Sequence, residues 1–242
     1  GVRRSTVRTP ADVMRLVRHA HTIRGVRIAG IMGYEAQIAG LGEKNPFSPE
    51  LNPVRRIIKR LSIPDVAQRR RAVARTLLKN DVDIDFFNAG GTGSLRSSVK
   101  EDHVTEITAG SGFLCSHLFS YYRDVHWLPA GFFALQVVRI PAENMVTCSG
   151  GGYIASGEAG PDKHPVPHLP QGCKLLPMEG GGEVQTPVIC PGDVQLAIGD
   201  PVIFRHAKAG EPAERFNEYI MIQDGSIIAR EPTYRGMGRA FL

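Results

Sequence analysis

The chain has 242 residues, 42% of them apolar and 22% charged, with a formal charge of +5. That length can bury the core of one large domain or two smaller ones. No apolar run is long enough for a membrane-spanning helix, and none reads as the core of a secretory leader. The basic excess sits in Arg55-Arg56, Lys59-Arg60 and Arg69-Arg70-Arg71 with Arg75, on segments that read as helices. Without aromatic platforms between the charges, solvated helix faces are expected rather than a nucleic-acid groove. The four cysteines (Cys115, Cys148, Cys173, Cys190) show no CxxC spacing and are too sparse for a disulfide framework, which fits a reducing cytoplasm.

The opening Gly1-Val2-Arg3-Arg4-Ser5 has no initiator methionine. A helix is expected over about residues 10–23, with Thr9 as N-cap, Pro10 at N1 and Asp12 at N3. Val13, Leu16, Val17 and Ala20 fall on one face at helical spacing. No strand precedes this helix, so the chain reads as a piece of something longer. Val26–Tyr34 reads as a strand, 40–53 as a Gly/Pro/Asn-rich loop or lid, and 51–79 as largely helical. There Pro64 is expected to start a second segment capped by Ser62.

An apolar run, Val82–Phe87, then breaks into Asn88-Ala89-Gly90-Gly91-Thr92-Gly93-Ser94. A second strand-like run, 104–108, ends in Ala109-Gly110-Ser111-Gly112, and a helix is expected near Ser116–Asp124. Three glycines and a threonine at a strand end can aim several N–H groups and a hydroxyl at one anion. Two such turns about twenty residues apart suggest a phosphate held between consecutive βα loops of a barrel. Two tight left-handed turns with no ligand explain the same residues. The β–α–β–α order implies parallel strands joined by helices.

Around Trp127 the pattern becomes antiparallel β. Phe132–Ile140, Val184–Val188, Pro201–Arg205 and Tyr219–Gln223 read as strands, and Asp224-Gly225 as a hairpin turn before Ser226–Ala229. The segment 149–192 is rich in glycine and proline and reads as loops.

These motifs resemble the fold-type III pyridoxal-phosphate enzymes, the alanine racemase N-terminal barrel superfamily. Within it they resemble the D-threonine aldolase/D-serine dehydratase branch and its bacterial "amino acid deaminase/aldolase" relatives. The likeness is carried by the stretches starting Gly33-Tyr34-Glu35, Asn88-Ala89-Gly90 and Val104-Thr105-Glu106. It continues through Gly150-Gly151-Gly152-Tyr153, Gly182-Glu183-Val184 and Phe204-Arg205-His206-Ala207-Lys208, and through Pro232-Thr233-Tyr234-Arg235-Gly236 to Leu242.

The resemblance implies an α/β plus β architecture. Residues 1–125 would be the last strands and helices of a (β/α)8 TIM barrel, and 126–242 a C-terminal antiparallel β domain. It implies pyridoxal 5'-phosphate as cofactor, its phosphate held by Gly91, Thr92, Gly93, Gly110 and Ser111. Tyr34 would face the cofactor, although a rim tyrosine bonded to a loop fits the residue equally well. His206 matches the family's metal-binding histidine, but the Asp or Cys expected two residues later is Lys208, whose ammonium would repel a cation. No metal site of the usual kind is therefore expected, and His206 becomes a substrate contact or acid/base group.

The family's Schiff-base lysine and pyridine-binding arginine would lie upstream of Gly1. None of Lys44, Lys59, Lys79, Lys100, Lys163 or Lys174 follows a buried parallel strand, and Lys208 belongs to the β domain. The implied activity is that of a lyase on small-molecule (D-)amino acids, by aldol cleavage or deamination, with racemisation third and a homodimer as the assembly. A truncated barrel that only binds phosphate, the cofactor or a partner is the alternative.

Overall fold

Thr9 opens the first helix through a reciprocal capping box. Its hydroxyl accepts from the Asp12 N–H, and the Asp12 carboxylate accepts from the Thr9 N–H. The computed structural model describes residues 4–241, so residues 1–3 of the opening and Leu242 of the closing motif lie outside the described residues. Helix α1 runs Pro10–His21 and buries Val13, Met14, Val17 and Ala20. Leu16, expected on that face, is exposed, and Met14 takes its place. The core stripe therefore runs through i, i+1, i+4 and i+7 instead of through i+3.

Three short parallel strands follow: β1 Gly30–Gly33, β2 Phe86–Ala89 and β3 Glu106–Ile107, in the order β1-β2-β3. Each is shorter than the apolar run that announces it, since only the last residues of each run pair. Gly33 lies opposite Ala89, and Ala89 opposite Ile107. The three C-terminal strand ends are thus neighbours, and they carry Tyr34-Glu35, Gly90-Gly91 and Thr108-Ala109. The single turn α2, Ala36–Ala39, follows β1, and α4, Leu95–Ser98, follows β2.

Between β1 and β2 runs α3, Asn52–Lys79, one continuous helix with Pro64 inside it. The expected break at Pro64 does not occur, because one missing bond is minor in a 28-residue ladder. The buried residues of α3 are Lys59, Val66, Arg70 and Leu77, spaced along one face. Two of the basic residues expected in solvent are therefore enclosed.

The second half is a six-stranded antiparallel sheet in the order β6-β9-β4-β5-β8-β7. Its strands are β4 Phe133–Ala142, β5 Met145–Ser149, β6 Val166–Leu169, β7 Lys174–Leu175, β8 Gln185–Ile189 and β9 Pro201–Arg205. The two edge strands lie against each other, so the sheet nearly closes. Its core holds Phe133, Leu135, Val137, Val146, Val188, Val202 and Phe204 with three cysteines. A short helix α5, Gly210–Arg215, leads to the hairpin β10 Glu218–Gln223 and β11 Ser226–Pro232. Asp224 and Gly225 both have positive φ (49° and 75°), as a two-residue hairpin turn requires.

The chain divides into two compact units, Gly1–Gly110 with Tyr121–His126, and Ser111–Ser120 with Trp127–Leu242. The segment around Ser116–Asp124, expected to be an α-helix, forms two 3-10 turns, Gly110–Leu114 and His117–Tyr121. Among the described residues, no helix is long and apolar enough to cross a membrane.

Candidate cofactor site

In the first unit a buried carboxylate organises the three strand ends. Glu35 follows β1 and is enclosed. It accepts from Arg70 Nη1 at 2.7 Å, from Ser98 Oγ at 2.7 Å, from the Gly90 N–H at 3.3 Å and from Ser94 Oγ. Arg70 answers with the rest of its fork: Nη1 to the Gly33 carbonyl at 2.7 Å, and Nε and Nη2 to both oxygens of Glu101 at 3.1 and 2.8 Å. A guanidinium can saturate two carboxylates this way, which offsets the cost of burying charge. The network ties β1, α3, α4 and the glycine loop together beneath the strand ends.

The loop above is shaped by close approach. A Cβ on Gly91 would sit 2.9 Å from both the Ala39 methyl and the Tyr34 ring. A Cβ on Gly93 would collide with the Tyr122 ring and lie 2.6 Å from the Ala39 carbonyl. The Gly91 N–H donates to Ser94 Oγ, and the Thr92 hydroxyl donates to the Ala109 carbonyl, which fastens the first glycine turn to the second. Among the described residues, the N–H groups of Thr92 and Gly93 meet no protein acceptor. Gly110 has φ +54° with no atom within 4 Å of where its Cβ would stand, and it opens a 3-10 turn whose first N–H groups precede its internal bonds.

Free backbone donors from neighbouring strand ends, on glycines packed tightly from behind, fit an anion such as a cofactor phosphate. Four of the residues expected to hold it, Gly91, Thr92, Gly93 and Gly110, lie together in this unit. Gly91 and the Thr92 hydroxyl fasten the loop, and the remaining donors are backbone N–H groups.

Tyr34 stands against Gly91 at the end of β1 and is half-exposed, and burial followed by the Glu35 charge raises its phenol pKa. No lysine follows a strand of the parallel sheet among the described residues. The strands run out into Tyr34, Gly90 and Thr108.

Ser111 and His206 belong to the second unit. Ser111 Oγ accepts from the Ala209 N–H at 3.1 Å, so its hydroxyl braces the segment that follows His206. His206 ends β9 and is buried, with neither ring nitrogen hydrogen-bonded among the described residues. Its ring occupies the space that a Cβ on Gly131 would need, 2.9 Å from its Cε1. Burial, with His117 and Arg205 nearby, lowers its pKa to about 4, so the ring is neutral at pH 7. His117 is lowered to about 4 by burial as well, and its Nε2 bonds the His164 carbonyl at 2.7 Å.

Lys208, two residues past His206, donates to the Ser156 carbonyl at 2.6 Å. Among the described residues no three His, Cys, Asp or Glu side chains converge as a metal would need. Sequence reasoning missed the Glu35–Arg70–Glu101 network. The one available signal was Arg70 on the same helical stripe as Val66 and Leu77.

No protein-family model matches the chain, and no curated protein matches it by sequence. Solved structures do. The D-threonine aldolase of Filomicrobium marinum superposes with a TM-score of 0.77 at 15% identity, over 98% of this chain and 62% of its own. The D-threo-3-hydroxyaspartate dehydratase of Delftia sp. HT23 gives 0.61 at 17% identity, over 95% and 62%. An alanine racemase-like protein of Idiomarina loihiensis gives 0.62 at 15% identity, over 96% and 61%. These are fold-type III pyridoxal-phosphate enzymes, and the chain shares their fold. It spans about 62% of the length of the aldolase and the dehydratase.

Proposed function

We propose that this chain is the C-terminal portion of a pyridoxal-phosphate-dependent lyase acting on D-amino acids, cleaving or eliminating at a β-hydroxy side chain. One observation carries the reading. The neighbouring ends of β1, β2 and β3 present unpaired N–H groups of Thr92 and Gly93, held from below by Glu35 and Arg70. The shared fold of the aldolase and the dehydratase supports the reaction class.

Thr92, Gly93, Gly110 and Ser111 would bind the cofactor phosphate through the backbone, and Gly91 would permit the approach. When bound, the cofactor supplies an electron sink for a bond cleaved at the amino acid's α-carbon. Tyr34 would hold or move a proton at its phenol oxygen. His206, kept neutral by burial, would accept the β-hydroxyl proton without a divalent metal. The anchoring lysine would come from outside these residues, and the working assembly would be a homodimer.

Titration of the chain with pyridoxal phosphate tests the cradle. Saturable binding that inorganic phosphate competes away is expected, with pyridoxal binding far more weakly; equal affinity for pyridoxal would remove the phosphate site. Borohydride reduction of the complex is expected to leave no stoichiometric adduct on a single lysine, and such an adduct would place the anchor inside this chain. In the full-length enzyme, His206→Ala should slow turnover of a β-hydroxy D-amino acid by about 100-fold or more. Unchanged turnover would end the assignment of His206.

A further inference from the structure

The second unit's core contains three thiols that the proposed chemistry does not use. Cys173 immediately precedes β7 and Cys190 immediately follows β8. Lys174 pairs with Ile189, so the antiparallel register places the two cysteines opposite each other. Their sulfurs are 3.5 Å apart, with the Cys173 S–H directed at Cys190. Cys148, on β5, belongs to the same core cluster.

We propose that Cys173 and Cys190 form a dithiol that hydroperoxides convert reversibly to a disulfide. Facing positions on adjacent antiparallel strands lie within the Cα separation a disulfide spans. Bond formation needs the sulfurs about 1.5 Å closer than 3.5 Å. The short edge strand allows this: β7 is two residues long, borders only β8, and follows Gly172, whose φ is +87°.

Access is one-sided. A cavity of about 210 Å³, lined by Ile140, Met145, Val146, Val194 and Leu196 among others, reaches Cys190 but not Cys173. That volume is ample for a molecule the size of hydrogen peroxide. Cys190 is therefore the sulfur attacked first. Its thiolate displaces hydroxide from the peroxide as the O–O bond breaks, giving a sulfenic acid, and the thiol proton and the hydroxide leave as water. Cys173 then attacks the Cys190 sulfur and the second oxygen leaves as water. Two thiols and one peroxide thus become one disulfide and two waters. Burial and the bond to Cys190 raise the pKa of Cys173, so it waits as the resolving thiol.

The test treats the natively folded chain with hydrogen peroxide, quenches it, then alkylates under denaturing conditions and maps the peptides without reduction. The expected result is loss of two of the four alkylatable thiols, with a Cys173–Cys190 cross-linked peptide that dithiothreitol cleaves. Cys173→Ser should instead accumulate a dimedone-reactive Cys190. A cross-link from Cys148 to Cys190, or full alkylation of Cys173 and Cys190 after peroxide, would overturn the proposal.

Discussion

Arg70 Nη1 and Glu35 Oε2 are 2.7 Å apart, and both side chains are almost wholly enclosed in the first unit. Neither charge would be stable there alone, and together with Glu101 they hold the glycine loop from beneath. Glu35→Ala leaves half of the guanidinium unanswered and frees Ser94, Ser98 and Gly90. It is expected to cost about 3–5 kcal/mol, read as a shift in the denaturant midpoint, and to weaken pyridoxal phosphate binding. A loss below about 1 kcal/mol would mean that the pair behaves like a surface salt bridge.

Gly93 and Gly110 separate two uses of glycine in one site. Gly93→Ala drives a methyl into the Tyr122 ring and toward the Ala39 carbonyl, for an expected cost of about 3 kcal/mol. Gly110→Ala meets open space and only the left-handed φ of +54°, for about 1 kcal/mol. Thermal unfolding of the two variants should keep that order. Equal losses would show that backbone conformation, not close approach, decides both.

The two histidines of the second unit give a pH dependence with a definite sign. Both have folded pKa values lowered to about 4 from 6.5, so between those values the unfolded chain binds more protons than the folded one. Their contribution is complete above pH 6.5 and is lost as pH falls toward 4. Each ring is worth on the order of 3 kcal/mol across that window. Denaturation measured from pH 7 down to pH 4.5 should show falling stability, with a shallower slope in His206→Gln. A slope that His206→Gln leaves unchanged would remove His206 from the account.

Lys208 stands where a second metal ligand would be expected from the resemblance, and its ammonium bonds the Ser156 carbonyl. Lys208→Asp replaces a repelling cation with a ligating carboxylate two residues from His206. Zinc affinity by calorimetry should rise at least about tenfold over the parent chain. Equal affinity in the two proteins would show that Lys208 is not the barrier.

The sequence by itself determined the local features. The Thr9–Asp12 box, the Asp224-Gly225 hairpin, the strand at Pro201–Arg205 and the β–α–β order depend on neighbours within a few residues, and each appears in the structure. The resemblance drawn from its motifs agrees with the fold that the structural comparison finds. Only the tertiary structure decided which charges are buried. Lys59 and Arg70 look like solvated helix residues until Glu43 and Glu101, far along the chain, meet them at 2.7 and 2.8 Å. The same holds for Met14 in place of Leu16, and for the 3-10 turns at 110–121, where the segment Ser111–Ser120 joins the second unit. Helical periodicity and capping are set by short-range backbone geometry. Burial and ion pairing depend on which distant segments arrive, and no local pattern encodes that.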